Sequence, residues 1–157
     1  MPESYLTRAG YAKLLKDLES LKKHKAQLSI EIGEAREKGD LKENAEYHSA
    51  KERLGDIMNR IGIIEGKLAN VRIIDDIKVK KDEVGIGVKV TLEDIEEKDE
   101  MEWTLVGPDE SDPSAGKMSI YAPLAAGILG HKVGEEVAVE LPAGARRYRI
   151  LKTEPAI

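Results

Sequence analysis

The sequence has no cysteine and no phenylalanine, and aromatic residues make up only 4% of its 157 residues. The lack of cysteine excludes disulfide bonds and thiolate metal sites, and so few aromatic residues argue against a large aromatic-lined ligand pocket. No apolar run approaches the ~20 residues of a membrane span, and no signal peptide opens the chain. We therefore expect a cytoplasmic protein with no membrane partner.

An excess of positive charge is also absent. Residues 1–75 carry 14 basic and 13 acidic residues, whereas residues 76–157 carry 11 basic and 17 acidic residues. A protein that holds nucleic acid by its own charge neutralises many phosphates with Lys and Arg. Any contact with DNA or RNA is therefore expected to be local, or to pass through a protein partner.

Residues 7–75 are predicted to be helical, with Thr7 as the N-cap. Apolar residues recur at alternating steps of three and four along two arms, which is the 3.5-residue repeat of a coiled-coil seam. The first arm contributes Leu14, Leu18, Leu21, Leu28, Ile32 and Ala35, and the second contributes Tyr47, Ala50, Leu54, Ile57, Ile61, Ile64, Leu68 and Val71. Lys25 fills the one gap in the first arm, and we assign it no functional role.

The two arms match each other when the chain folds back near Gly39. Leu28 then faces Ala50 and Leu18 faces Ile61, and every such pair of positions adds up to 78 or 79. A constant sum is what antiparallel partners require. Residues 1–75 are therefore predicted to form an antiparallel two-helix hairpin, with arms of ~45 Å for ~30 residues and a tip at residues 37–47.

The pattern changes after a charged connector at residues 76–84. Short alternating segments at residues 88–92, 101–105, 118–120, 137–141 and 148–151 are typical of strands, and residues 123–129 fit one short helix with Pro at its first position. The fold class is thus α+β: an N-terminal coiled-coil hairpin and a small C-terminal domain at residues 85–157 with an antiparallel sheet.

Two carboxylates stand at the predicted tip, Asp40 and Glu43. Three residues apart, they fit a capping box at the start of the second helix, and spacing alone favours that interpretation. However, Glu43 falls on the seam line opposite Ala35, where an apolar residue would continue the packing. Two carboxylates are also too few to bind Mg²⁺ alone, so such a tip would have to complete a site on another molecule.

The tip segment Gly39–Tyr47 reads GDLKENAEY and resembles the tip motif of the Gre transcript cleavage factors, the GreA/GreB family, more closely its GreA subtype. Further segments resemble the family in the same order along the chain: Leu6-Thr7 with Gly10 and Leu14, Val106–Glu110, and Ile120 with Pro123–Ala125 and Leu129-Gly130. The resemblance therefore covers nearly the whole chain.

This resemblance implies that the hairpin enters the secondary channel of a backtracked RNA polymerase. Asp40 and Glu43 would help to hold a second Mg²⁺, shared with the polymerase, and to position the water that cuts the nascent RNA near its 3′ end. Elongation would then resume. The protein would be a monomer and not itself an enzyme, since it would stimulate a nuclease activity that the polymerase owns, and it would bind no metal by itself.

Residues beside the carboxylates have two interpretations. Arg36, Lys38 and Lys42 either contact phosphates of the backtracked RNA or are ordinary surface charges. Asn44 is expected to be structural. Tyr47 is expected to be a seam residue opposite Ile32, with stacking on a base as the alternative.

The resemblance also extends to a docking surface and to a fold for the C-terminal domain. The residues that match the polymerase-docking surface of the family are Asp109, Glu110, Ser119, Pro123 and Leu124. For Leu124 the alternative is a place in the core. The domain resembles the FK506-binding-protein fold, but it has only Trp103, Tyr121 and Tyr148 for an aromatic pocket, which argues against prolyl isomerase activity.

Three other functions are weighed against this one. A Gre-homologous inhibitor of the same channel would depart from the tip motif, which is complete here. A coiled-coil interaction or chaperone protein would share the hairpin but would not explain the paired carboxylates. A stand-alone nuclease would need more metal ligands than the tip offers.

Overall fold

The computed structural model describes residues 4–37 and 44–156, and these form two compact units. One unit is the hairpin, Tyr11–Asn70. The other combines Met1–Gly10 with Val71–Ile157. The N-terminal residues and residues 71–84 therefore belong with the C-terminal domain, whereas the sequence predicted that the domain starts at residue 85.

The hairpin unit consists of helix α1, Arg8–Glu37, and helix α2, Ala45–Leu68. Its buried residues are the predicted seam positions Leu28, Ala35, Tyr47, Ala50, Ile57 and Ile61. Leu28, Ile57 and Ile61 form a core cluster on which Leu18, Leu21 and Leu54 pack. Lys25 is exposed, so its charge stays in water. The predicted helical hairpin is confirmed.

The predicted continuation of the second helix to residue 75 is wrong. Helix α2 ends at Leu68, and Val71–Ile73 forms strand β2, which pairs in parallel with strand β1, Ser4–Leu6. A 3₁₀ turn, Ile74–Asp76, follows. The β-branched side chains of Val71 and Ile73 favour extended backbone, and the backbone of β1 pairs with this segment.

Five further strands form one sheet in the order β5-β4-β3-β7-β6. Their bounds are β3 Val88–Asp94, β4 Asp99–Val106, β5 Lys117–Ser119, β6 Glu136–Leu141 and β7 Gly144–Pro155. The α+β class is confirmed. The sheet is antiparallel except that β4 and β5 run in parallel, because two 3₁₀ turns, Pro108–Glu110 and Pro113–Ala115, bring the chain back before β5 begins.

The core of this unit lies on one face of the sheet, where helix α3, Pro123–Ile128, covers it. A Cβ atom on Gly127 would lie 2.7 Å from Val139 Cγ1 in β6, so glycine permits the close approach of α3 to the sheet. Val84 is buried in the same core, and its backbone bonds the backbones of Gly130 and His131. The end of the predicted connector is therefore part of the packed domain.

Asp94, at the end of β3, is a charged residue in this interior, with 4% of its surface exposed. Its carboxylate accepts hydrogen bonds from the backbone N–H groups of Glu96 and Glu97 and from Arg146, 2.6 Å away. The side chain thus closes the β3–β4 turn and ties it to β7. None of the described helices is long and apolar enough to cross a bilayer.

Candidate functional site

The structure describes both flanks of the predicted tip. Helix α1 is described to Glu37, and the second arm from Asn44. Asp40 and Glu43 lie outside the described residues, as do Lys38 and Lys42. The geometry of the site is therefore that of its base, where the two arms approach the tip.

Asn44 fixes this base from both sides. Its side-chain oxygen accepts a hydrogen bond from the backbone N–H of Tyr47 at 3.1 Å, and its side-chain nitrogen donates to the carbonyl oxygen of Ala35 at 2.5 Å. The first contact is an N-cap, since Tyr47 is the third residue of α2. The second contact ties α2 to α1. Asn44 is structural, as the sequence predicted.

This cap bears on the alternative interpretation of the two carboxylates. A capping box at Asp40 and Glu43 would make Asp40 the N-cap of the second helix. The N-cap of α2 is instead Asn44, which has extended backbone and an occupied side-chain oxygen. Asp40 is therefore not the N-cap of α2, and the contacts of both carboxylates lie outside the described residues.

Tyr47, three residues after Asn44, has two cationic side chains beside its ring. Its side chain is 8% exposed, as expected for a seam residue. The Arg36 guanidinium carbon lies 5.9 Å from the ring centroid, and the Lys51 Nζ lies 5.3 Å from it. The hydrogen bond from Arg36 lowers the pKa of the Tyr47 phenol, and Lys51 lowers it further, against the effect of burial. The His48 ring meets Tyr47 edge-on, with centroids 5.5 Å apart.

Lys51 was missed by the sequence analysis. The signal available was its position four residues after Tyr47, which places both side chains on one face of a helix. Arg36 was named among the tip cations, but its partner on the other arm could not be read from spacing alone.

A groove of about 410 Å³ lies on a different face of the arms near the tip. Its lining residues are Glu31, Glu34, Ala35, Ala45, Glu46, Ser49, Ala50 and Arg53. Arg53 is paired with Glu31 at 3.5 Å. Because three glutamates face one arginine, this surface is acidic, in contrast to the face that holds Arg36 and Lys51.

In the C-terminal unit, the Glu110 side chain bonds another residue of the same chain, Thr7. Its two carboxylate oxygens accept hydrogen bonds from the backbone N–H and the hydroxyl of Thr7, each at 2.6 Å. The Thr7 hydroxyl in turn accepts from the backbone N–H of Gly10 at 3.0 Å, which confirms Thr7 as the N-cap of α1. A Cβ atom on Gly10 would meet the Glu110 carboxylate at 3.0 Å. Two segments that resemble the family thus meet at the start of α1.

A second close approach lies beside this cap. A Cβ atom on Gly107 would lie 1.9 Å from the carbonyl oxygen of Tyr5, which excludes a side chain there. The backbone N–H of Arg8 donates to Asp75 at 2.8 Å, and the Arg8 guanidinium pairs with Asp76. The sequence analysis missed this cluster, because its members come from three distant segments.

The remaining docking candidates lie near the start of α3, except Asp109. The Ser119 hydroxyl accepts a hydrogen bond from the backbone N–H of Tyr121 at 3.1 Å. Pro123 is exposed at the first position of α3, whereas Leu124 is half-buried against the core. Asp109 is exposed beside Glu110 in the first 3₁₀ turn. Ser119 and Pro123 therefore share a surface with Tyr121, and Leu124 also serves the core.

No group of three or more His, Asp or Glu side chains that could hold a metal ion occurs in residues 4–37 and 44–156. The tip residues 38–43 lie outside those ranges. Asp40 and Glu43 are the carboxylates available there besides Glu37 and Glu46 at its flanks.

Comparison with known proteins gives the family. Residues 4–73 match the family model "Transcription elongation factor, N-terminal", and residues 79–155 match "Transcription elongation factor, GreA/GreB, C-term". The chain is 44% identical over 147 residues to transcription elongation factor GreA of a Nitratiruptor species, covering 94% of this chain and 90% of that protein. It is 41% identical over 150 residues to GreA of Chloroherpeton thalassium, covering 95% of each.

Among solved structures, the chain is similar to GreA factor homolog 1 of Thermus thermophilus. The identity is 26%, with 98% of this chain and 99% of that chain covered and a TM-score of 0.45. The family assignment rests on the two domain models and on the GreA relatives. The chain belongs to the GreA/GreB family of transcription elongation factors.

Proposed function

We propose that this elongation factor stimulates cleavage of nascent RNA in backtracked RNA polymerase. In this proposal the hairpin passes through the secondary channel and brings Asp40 and Glu43 to the active centre of the polymerase. Cleavage near the RNA 3′ end then leaves a new end from which elongation resumes. The protein acts in the cytoplasm as a monomer, and the nuclease activity belongs to the polymerase.

The observation that carries this proposal is the cap of α2. Asn44 is the N-cap of α2 and ties this helix to Ala35, so Asp40 does not fill the N-cap position. Because Asn44 takes the N-cap position, the two carboxylates of the tip motif are candidates for chemistry. They also precede the positive end of the α2 dipole, which favours negative charge.

The donor set fits a shared Mg²⁺. Carboxylate oxygens are the ligands that Mg²⁺ takes from proteins, and two of them leave most of its six positions to other groups. Asp40 and Glu43 would hold the ion together with the polymerase and orient the attacking water. When bound, the ion would supply charge stabilisation and a more acidic water molecule.

Other parts of the chain would serve binding. Ser119, Pro123 and Leu124, with Asp109, would contact the polymerase at the channel entrance, while Glu110 would support them by holding the start of α1. Arg36 would contact a phosphate of the displaced RNA. Its alternative as a plain surface charge is less consistent with its place on the Tyr47 ring.

The experiment is RNA cleavage in stalled, backtracked polymerase complexes with Mg²⁺. The wild type is compared with Asp40→Asn and Glu43→Gln, which keep side-chain size and remove charge. Each variant should bind as the wild type does and lose cleavage by about 100-fold or more. Glu37→Gln, at the other flank of the tip, is the matched control and should cleave normally.

Two results would contradict the proposal. Normal cleavage by both tip variants would show that the carboxylates take no part in the chemistry. Suppression of cleavage by the wild type would instead identify an inhibitor that occupies the same channel.

A further inference from the structure

One side chain bonds both arms of the hairpin beside the tip. Asn44 accepts a hydrogen bond from the backbone N–H of Tyr47 at 3.1 Å and donates one to the carbonyl oxygen of Ala35 at 2.5 Å. Ala35 lies in the last turn of α1, which ends at Glu37, and carbonyl groups in a last helical turn lack partners within the helix. Asn44 therefore makes two separable contacts, a cap within α2 and a bridge to α1.

The two partners fix the orientation of the Asn44 carboxamide. The Tyr47 N–H can only donate, so it faces the side-chain oxygen, and the Ala35 carbonyl can only accept, so it faces the NH₂ group. Ser and Asp cap a helix about as well as Asn does. However, an ionised Asp has no donor, and the single oxygen of Ser cannot lie at both places. The bridge, and not the cap, therefore explains why this residue is Asn.

The packing around this bridge is thin. Near the tip, the buried seam residues of the two arms are Ala35, Ala50 and Tyr47. The cluster of large buried side chains reaches only Leu28 on α1, seven residues or about 10 Å before Ala35. A second polar link between the arms, Arg53 to Glu31 at 3.5 Å, is exposed, and exposed ion pairs contribute little to stability. The Asn44 bridge is therefore a principal contact between the arms at this end.

The candidate carboxylates belong to the stretch of chain that the bridge closes. Residues 36–43 lie between Ala35 and Asn44 in the sequence and include Asp40 and Glu43. A chain segment whose two ends are held together has fewer conformations available than one whose ends are free. A misplacement of about 1 Å can cost a reaction about 100-fold in rate. A bond that fixes the ends of this stretch can therefore matter for chemistry.

We propose that Asn44 is a positioning residue for RNA cleavage, whose NH₂ group holds α1 to α2 so that Asp40 and Glu43 are preset for a shared Mg²⁺. This inference rests on the proposed function and deepens it. The Asn44 side chain itself contacts neither the ion nor the RNA. Loss of the bridge alone should weaken the use of Mg²⁺ and leave α2 folded.

Two variants remove the bridge and keep the cap. Asn44→Ser retains an oxygen for the Tyr47 N–H without adding charge, and Asn44→Asp retains the shape but turns an oxygen towards the Ala35 carbonyl. Asn44→Ala removes both contacts. Ile61→Ala, at a buried seam position remote in sequence from the tip, is the control for a general loss of stability.

The first test uses the protein alone. Because the chain has no cysteine, Glu34→Cys and Glu52→Cys at exposed positions can carry one nitroxide label on each arm. All three Asn44 variants should broaden the distribution of label distances measured by electron paramagnetic resonance. Amide hydrogen exchange at Tyr47 should become faster in Asn44→Ala only, because Ser and Asp still accept this N–H. Label distances that are unchanged in both Asn44→Ser and Asn44→Asp overturn the bridge.

The second test measures cleavage in backtracked polymerase complexes at saturating factor while Mg²⁺ is varied. Asn44→Ser should raise the Mg²⁺ concentration for half-maximal cleavage about tenfold and lower the maximal rate about tenfold, as loss of a supporting contact beside a metal site does. The factor concentration for half-maximal cleavage should stay the same, because the docking surface is untouched. Asn44→Ala should cleave as Asn44→Ser does at a temperature where both are folded.

The control decides whether the effect is specific to the bridge. Ile61→Ala should lower thermal stability and leave the Mg²⁺ dependence unchanged. Wild-type Mg²⁺ dependence in Asn44→Ser, or the same change in Ile61→Ala, overturns the proposal. A much larger loss in Asn44→Ala than in Asn44→Ser also overturns it, because the cap would then be the contact that the reaction needs.

These results separate the inference from the proposed function. If the wild type cleaves and the Asp40 and Glu43 variants fail, the proposed function stands whatever the Asn44 variants do. Normal Mg²⁺ dependence in Asn44→Ser would then reject the inference alone. If the wild type does not promote cleavage, the positioning role falls with the proposed function, and the label distances decide whether the bridge holds the arms.

Discussion

Gly107 is a residue where the absence of a side chain is a requirement. A Cβ atom at this position would lie 1.9 Å from the Tyr5 carbonyl oxygen, and because that oxygen belongs to the backbone, no flexible group can move aside. We expect Gly107→Ala to destabilise the C-terminal unit by about 1–3 kcal/mol or more through overpacking. Urea unfolding followed by Trp103 fluorescence measures this change.

The matched control is Gly85→Ala in the same unit, where a Cβ would meet nothing within 4 Å. That variant should be as stable as the wild type or slightly more stable, because alanine restricts the unfolded chain. Equal stability of the two variants would contradict the close approach of β1 to Gly107.

Asp94 gives a prediction about pH. Burial alone would raise the pKa of its carboxyl group, but the hydrogen bonds from Arg146 and from the Glu97 and Glu96 backbones outweigh burial and lower it. The folded state therefore favours the charged form. This contribution to stability is present above the ordinary pKa of Asp, about 3.9, and is lost as pH falls through the lower folded pKa.

Asp94→Asn should therefore be less stable than the wild type at pH 7, and the gap should narrow below about pH 4. Urea midpoints at a series of pH values measure it. Asp99→Asn, at the exposed first residue of β4, is the control and should show no such trend. A gap that stays constant down to pH 2 would show that the charge of Asp94 is not what stabilises the turn.

Individual residues were predictable where the cause is local. The cap role of Thr7 and the structural role of Asn44 follow from residue types that bond nearby backbone N–H groups. The contact of Glu110 with Thr7 was not predictable, because 103 positions separate the two residues. The role of Lys51 could not be predicted for the same reason. It contacts the Tyr47 ring together with Arg36, which lies on the other arm.

At the scale of elements, the hairpin is held by a narrow seam. Leu28 is fully buried between the arms, whereas Ile63 is 52% exposed on α2. Leu28→Ala should cost about 2–5 kcal/mol, since it removes buried methyl groups and leaves a cavity. Ile63→Ala should change stability by less than about 0.5 kcal/mol, as surface substitutions do.

Thermal unfolding followed by helical circular dichroism compares the two variants. The hairpin contributes most of the helix, so its loss dominates the signal. Similar midpoints for Leu28→Ala and Ile63→Ala would mean that the arms do not pack through the seam as described.

Periodicity predicted the elements whose partners lie close in sequence. The alternating steps of three and four located both arms, and the alternating strands from Val88 onwards fell near their observed positions. The failures are β2 and the direction of β5. Val71 continues the heptad as well as it starts a strand, and only the presence of β1, 65 or more positions away, decides between them.

At the scale of the whole molecule, the chain enters and leaves the hairpin through one packed cluster. Strands β1 and β2, the Thr7 cap and the Asp75 and Asp76 contacts all belong to the C-terminal unit. Under the proposed function, polymerase docking and the chemistry at the tip would therefore lie in separate units. Substitutions in the two units should change different kinetic quantities.

Pro123 tests this division under the proposed function. It is exposed at the first position of α3, where an acidic residue suits the helix N-terminus, so Pro123→Glu should fold normally. If this surface contacts the polymerase, the new charge should raise the factor concentration for half-maximal cleavage about tenfold, or ~1.4 kcal/mol of binding. The maximal cleavage rate should stay the same, because the tip is intact.

Ala126→Glu, exposed on the same helix, is the control. A lower maximal rate at unchanged half-saturation would place Pro123 in the chemistry and contradict the division.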